Sequence, residues 1–278
     1  MHRAAALPLP TPPELAALRT ALVACSYTTG AVNDLLAIPE PLRQALAPCV
    51  LDVPAPPPPS PPTSPLAAVV ELFLLGVSVP TDAVEALAPT ACAPLLFADS
   101  PTTTRARVRI TPVTAAEATL HIITDWPAAF FEANRLSSGD ELVMYLSPCS
   151  LSLLPHLCLL PRPRTALDLC CGSGVLGVFL STLYPSVHLT ALDVSPRALL
   201  FTEANLLLNG CRAADSLVCS RLEDYQQKSP VDVLLANPPF VLAPAVARQP
   251  LYTSPGNEGV LVSDSLAGGW WEVVEKVL

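Results

Sequence analysis

Three short segments of this sequence carry residue types at spacings that chemistry can use. The first is Asp168-Leu-Cys-Cys-Gly-Ser-Gly174, with a further glycine at 177. Glycines at 172, 174 and 177 let the backbone turn tightly and approach a ligand closely. On its own this Gly-x-Gly-x-x-Gly spacing is shared with dinucleotide oxidoreductases. The second is Asp193, 21 residues after Gly172, at the end of an apolar run. A carboxylate there can accept both hydroxyls of a ribose. Its simpler role is a helix N-cap, a job for which Ser195 competes. The third is Asn237-Pro-Pro-Phe240. Its Asn side-chain oxygen and the Pro238 carbonyl offer two hydrogen-bond acceptors, the prolines fix the turn, and Phe240 offers a flat ring for stacking.

Alternating elements must position these segments. Thr165–Leu169, His188–Leu192, Ser216–Cys219 and Val231–Ala236 read as short apolar strands, with helices at Gly174–Leu183 and Pro196–Asn209, the latter closed by Gly210. Strands alternating with helices predict a parallel α/β sheet with its ligand site at the strand C-termini. Upstream, Leu15, Leu18, Leu22 and then Leu35, Leu36, Leu42 and Leu46 recur near helical spacing, broken by Pro39, Pro41 and Pro48. Residues 66–76 form an apolar helix closed by Gly76, and Thr81 or Asp82 caps another through Leu87. Arg105–Ile110 and Thr119–Thr124 alternate with period two and predict a hairpin or small sheet. Arg105, Arg107 and Arg109 then share one face of a strand, read as a solvated face rather than a substrate-contacting wing. Helices followed by a ribbon suggest a winged-helix-like module. The division expected is a flexible stretch over 1–13, an α+β, substrate-side domain over 14–140 with a Pro-rich linker at 54–65, and a Rossmann-like domain over 141–278.

With the cofactor loop at strand one and Asn-Pro-Pro-aromatic at strand four, the sequence resembles the class I S-adenosylmethionine-dependent methyltransferases. The subgroup it resembles is the small-domain group that acts on planar nitrogens, either nucleobase amino groups or the glutamine side-chain amide. The resemblance implies an S-adenosylmethionine cofactor, with Asp168, Cys170, Gly172 and Gly174 around its methionine part. It places Asp193 on the ribose, Val194 against the adenine, and a backbone contact at Leu222 on the adenine edge. Relatives often carry Gly-Asp where this chain has Ser220-Arg221, and glycine where it has Cys170; a small residue is tolerable at 170 if its backbone angle is ordinary. The two cysteines at 170 and 171 read as packing residues. Asn237, Pro238, Pro239 and Phe240 would hold the acceptor nitrogen, draw its two hydrogens and favour pyramidalisation toward the methyl group. Tyr145-Leu-Ser-Pro-Cys-Ser150 resembles the loop before the first motif, and Tyr252 with Gly256-Asn-Glu-Gly259 the stretch after Asn-Pro-Pro. So read, the resemblance spans roughly residues 15–270.

The acceptor expected is a protein, a release-factor-like glutamine amide, because the chain is acidic and has no Lys/Arg run. Its 15 basic and 24 acidic residues give a net charge of −9. The alternative is an adenine or guanine amino group in RNA, where Phe after Pro-Pro is common. A third reading is a catalytically dead scaffold. The family's core needs three strands after the fourth, whereas the sheet begins near residue 165 and leaves about 113 residues. The expected architecture is therefore a C-terminally truncated class I core. A nicotinamide oxidoreductase offers no account of Asn237-Pro-Pro-Phe240. Nine cysteines without a CxxC pair give no zinc spacing, so no metal is expected, and they suit a reducing intracellular compartment. The expected location is the cytoplasm, with an organelle as the alternative because no acid precedes Glu14. The uncharged stretch Leu142–Leu160 contains Pro148, Pro155 and His156, and reads as a loop plus a buried helix rather than a membrane span.

Overall fold

Segments of four to six residues rich in apolar side chains, too short for helices, become the strands of a four-stranded parallel sheet. In this computed structural model, which describes residues 8–38, 62–85, 87, 89–127, 130–131, 142–143 and 145–238, it comprises β6 (Thr165–Leu169), β7 (His188–Asp193), β8 (Ser216–Cys219) and β9 (Val233–Ala236). The strand order is β8-β7-β6-β9. From β6 the chain steps outward to β7 and β8, and then returns to the other side of β6 for β9. The crevice between β6 and β9 is thus a topological switch point, where ligands bind in open α/β sheets.

Helices α7 (Val175–Leu183) and α8 (Pro196–Leu208) connect the first three strands. Ala166, Leu167, Asp168 and Leu169 are all buried, as expected of a strand covered on both faces. Phe179, Val178, Leu189 and Leu206 fill one face together with Leu154 and Leu157 of α6 (Pro148–Leu157). Within the stretch 142–160, Pro148–Leu157 is a ten-residue helix, and the other described residues are not helical. No single helix among the described residues is long and apolar enough to cross a membrane.

The N-terminal part begins with α1 (Pro12–Ala24), where the Thr11 N–H donates to Glu14 Oε2 at 2.7 Å and Leu15, Leu18 and Leu22 form the buried stripe. After α2 (Thr29–Leu35) comes α3 (Pro65–Val69), capped by Ser64 and continuing as a π-helical turn over Val70–Leu74. Beyond it lie β1 (Val79–Pro80), α4 (Thr81–Glu85), α5 (Pro89–Cys92), β2 (Leu96–Ala98) and β3 (Thr103–Ala106), with the strands in antiparallel order β1-β3-β2. A hairpin of β4 (Arg109–Ala115) and β5 (Ala118–Thr124) follows. Its Thr119–Thr124 arm is the expected strand.

The Arg105–Ile110 arm is not one strand. Ala106 closes β3 and Arg109 opens β4, and Val108 turns into the core between them. The three arginines diverge accordingly. Arg105 donates to Ser78 Oγ at 3.1 Å. Arg107 donates to the Leu96 carbonyl and lies over the Phe97 ring. Arg109 is buried. A shared solvated face is thereby corrected: alternation showed the period but not the change of sheet within it.

The hairpin is clamped to α8 by two amide side chains one turn apart. Asn205 Oδ1 accepts from the Ile123 N–H at 2.7 Å, and its Nδ2 donates to the Ile123 carbonyl at 2.9 Å. Asn209 does the same for His121, at 2.8 and 2.9 Å. The pair imitates a neighbouring strand along the outer edge of β5 and satisfies groups that burial would otherwise orphan. Asn205 Nδ2 also donates to the Ser173 carbonyl at 2.8 Å, which ties the glycine loop to the hairpin.

Candidate functional site

Strand register brings the three chemical segments to one edge. Leu169 of β6 is opposite Leu192 of β7 on one side and Ala236 of β9 on the other. The residues that follow, Cys170, Asp193 and Asn237, therefore leave the sheet at the same C-terminal edge.

Asp193 shapes the loop beside it. Its Oδ2 accepts from the Gly172 N–H at 2.9 Å and its Oδ1 from the Ser195 N–H at 2.9 Å. Ser195 is itself the N-cap of α8, so the carboxylate is left to the loop. A carboxylate has about four lone-pair sites, so Asp193 can still accept from a ribose hydroxyl. Burial raises the Asp193 pKa, against the lowering effect of the Ser195, Gly172 and Val194 amides. Val194 is 46% exposed at the same edge, an apolar surface on which a flat ring can rest.

Asp168 is 1% exposed and accepts from the Gly177 N–H at 3.1 Å. Burial lifts its carboxyl from 3.8 to about 7; the Gly177 amide opposes this and the charge on Asp193 adds to it. A buried acid beside a partly buried one disfavours a second negative charge and welcomes a cation. The folded chain therefore holds more protons than the unfolded one between pH 3.8 and about 7, and loses stability as pH rises through that window. Asp168→Asn keeps an oxygen for Gly177 and removes this loss. The wild-type denaturant midpoint, taken as a difference from the variant's, is expected to fall between pH 5 and 8, by the equivalent of about 1–4 kcal/mol. A difference that stays constant or rises contradicts it.

Gly172 and Gly174 both have positive φ, +55° and +73°. A Cβ added at Gly172 meets no atom within 4 Å, so open space lies against the loop there. A Cβ at Gly174 would stand 2.7 Å from Thr202 Cγ2 and 3.0 Å from Thr202 Cα, so that glycine allows α8 its close approach. Cys170 has φ +54°, so its backbone angle is not the ordinary one on which its tolerance was conditional. A side chain is held where glycine is favoured, at a cost of about 1 kcal/mol. Cys170→Gly relieves that strain but adds glycine's entropy cost of about 0.5–1 kcal/mol, so the unfolding free energy in a urea titration is expected to hold or rise by up to about 0.5 kcal/mol; a loss above about 1 kcal/mol would show that the Cys170 side chain contributes packing that outweighs the strain. Cys171 is buried against Ala191 and Leu199, a packing role.

Leu222 opens a short 3₁₀ turn, and its side chain is buried with Leu167, Leu169 and Leu192, so only its backbone is available to a ligand edge. Asn237 stands beside the first turn of α6. Its Nδ2 donates to Ser150 Oγ at 2.8 Å and approaches Cys149 Sγ at 3.6 Å. Pro238 follows it, whereas Pro239, Phe240, Tyr252 and Gly256–Gly259 lie outside the described residues. Sequence reasoning singled out the Tyr145–Ser150 loop but not the contact of Ser150 with Asn237. It passed over Asn205 as well, although two asparagines at i, i+4 inside an apolar helix were a usable signal. Among the described residues no group of His, Cys, Asp and Glu could hold a metal ion.

A parallel sheet with a positive-φ glycine loop after one strand and a carboxylate closing the next is an α/β arrangement whose strand C-termini are where ligands bind in open sheets of this kind. More particularly, residues 146–250 match the family model of the methyltransferase small domain. Two relatives are similar over part of the chain. Ribosomal RNA small subunit methyltransferase C of Buchnera aphidicola subsp. Baizongia pistaciae is 30% identical over 110 residues, 40% of this chain and 30% of that protein. Release factor glutamine methyltransferase of Chlamydia trachomatis serovar L2 is 34% identical over 89 residues, 32% of this chain and 30% of that protein. The chain thus spans about 30% of the length of these relatives. Among solved structures, the SAM-dependent methyltransferase from Thiobacillus denitrificans in complex with S-adenosyl-L-homocysteine gives a TM-score of 0.33 and 17% identity, over 55% of this chain and 52% of that one. The α/β assignment rests on the sheet itself. The matched family segment begins at 146, so the likeness suggested upstream is not covered by it.

Proposed function

We propose that this chain is an S-adenosylmethionine-dependent N-methyltransferase acting on a planar nitrogen, with a protein glutamine amide as the favoured acceptor. The observation that carries the reading is the register that sets the Gly172 loop, Asp193 and Asn237 on one sheet edge at the β6/β9 crevice. The cofactor fits the residues present: open space at Gly172, an exposed Val194 beside a strand-end acid, and the buried Asp168 with the partly buried Asp193, two acids that suit a sulfonium cation.

When bound, S-adenosylmethionine supplies a methyl group whose C–S bond breaks, its electron pair staying on sulfur, as the new N–C bond forms. The chain's residues do the rest. Asp193 holds the ribose hydroxyls, and Val194 packs on the adenine. Asp168 and Gly172 shape the methionine end. Asn237 Oδ1 and the Pro238 carbonyl accept the two hydrogens of the acceptor –NH2, which turns its lone pair toward the methyl carbon. The alkylated nitrogen then sheds one proton to water, so no strong base is required. The resemblance assigns Pro239 and Phe240, which lie outside the described residues, to holding and stacking on the acceptor.

The acidic chain, without a basic run, supports a protein acceptor. The similarity to a ribosomal RNA methyltransferase supports the second reading, an RNA nucleobase amino group. Residues 14–140 are taken as the substrate-side domain and 141–278 as the cofactor domain. The eight described cysteines are free thiols, which supports a reducing, intracellular setting. Tritiated methyl transfer to release factor, ribosomal RNA and transfer RNA tests the proposal. Label on the release-factor glutamine is expected, label on RNA favours the second reading, and no label on any of the three contradicts both.

A further inference from the structure

Both hydrogens of the Asn237 amide nitrogen are directed at one place, the first turn of α6. Ser150 Oγ accepts at 2.8 Å, and Cys149 Sγ lies at 3.6 Å as a weaker second acceptor. That turn is itself held. Ser147 is the N-cap of α6, its Oγ accepting from the Ser150 N–H at 3.4 Å and lying 2.7 Å from Cys149 Sγ. A carboxamide is planar, so fixing its nitrogen end fixes its oxygen end on the opposite side.

We propose that Ser150 is a positioning residue for methyl transfer: its hydroxyl holds the nitrogen end of the Asn237 side chain, so that Oδ1 is presented to the acceptor amino group. This rests on the reading of Asn237 as the acceptor-binding residue. The consequence of losing Ser150 is specific. An amide free to turn over would set its own N–H groups against those of the acceptor, donor facing donor, and the nitrogen would lose its orientation. No hydrogen bond joins Ser150 to the glycine loop or to Asp193, so cofactor binding is expected to be unchanged.

The test uses the full chain with Ser150→Ala and the hydroxyl-retaining Ser150→Thr. The first readout is hydrogen exchange of the Asn237 side-chain amide by NMR, its signal assigned by its loss in Asn237→Asp. Slow exchange is expected in the wild type, fast exchange in Ser150→Ala, and slow exchange again in Ser150→Thr. The second readout is tritiated methyl transfer to whichever of release factor, ribosomal RNA or transfer RNA the wild type labels. Ser150→Ala is expected to lower kcat about 10- to 100-fold, with S-adenosylmethionine affinity within about twofold and recovery in Ser150→Thr. An Asn237 amide indifferent to Ser150→Ala overturns the positioning role alone. So does fast exchange with unchanged kcat, or an equal fall in kcat and cofactor affinity. Absence of transfer by the wild type overturns the methyl-transfer reading and the positioning role with it.

Discussion

Asn205→Ala is expected to lower the unfolding free energy by about 2–4 kcal/mol and to weaken binding at the glycine loop as well. Asn205 is 0% exposed, and three backbone groups depend on it: the N–H and carbonyl of Ile123 and the carbonyl of Ser173. Truncation leaves them buried without partners, and each such group costs about 1–3 kcal/mol, offset in part by relaxation and by water entering the gap. Asn209 serves His121 in the same manner but is only half-buried, so solvent can replace it. Asn209→Ala is therefore expected to cost about 1 kcal/mol. Urea titrations of both variants check the ranking. Equal losses, or a loss below about 0.5 kcal/mol for Asn205→Ala, would mean that the hairpin does not depend on this clamp.

Asn237→Ala is expected to reduce methyl transfer by about 10²–10³-fold while leaving S-adenosylmethionine affinity within about twofold. Its side-chain oxygen is one of two acceptors that orient the reacting nitrogen, and that contact strengthens as the nitrogen pyramidalises. The effect therefore belongs in kcat, with little change in KM. Single-turnover transfer and equilibrium cofactor binding, measured on the same preparation, separate the two quantities. A variant with full kcat, or one that loses cofactor instead, contradicts the role given to Asn237.

The sheet was legible because its strands are short segments rich in apolar residues, two of which end at or just before a polar residue with a job, Asp193 and Asn237. Asp193 and Asn237 stand out on that ground alone. The helices between them announce themselves through Gly174, Ser195 and Gly210, whose local backbone roles are written in residue type. What was not legible depends on pairs distant in the chain. Asn205 meets Ile123 across 82 positions, and Asn237 meets Ser150 across 87. No local pattern encodes either. The arginines at 105, 107 and 109 misled for the opposite reason. Local alternation was real, but the chain leaves one sheet and enters another between Ala106 and Arg109. Cys170 shows a third limit, since residue type does not report φ, and +54° there turns a tolerable substitution into a strained one.

Calorimetric titration of the chain with S-adenosylmethionine, repeated with Asp193→Ala, tests the central claim most directly. One site per chain is expected in the wild type. At least a tenfold loss is expected in the variant, because ribose hydrogen bonds and the Gly172 amide contact disappear together. Absence of binding by the wild type, or equal affinity in the two proteins, would contradict a cofactor site at the end of β7.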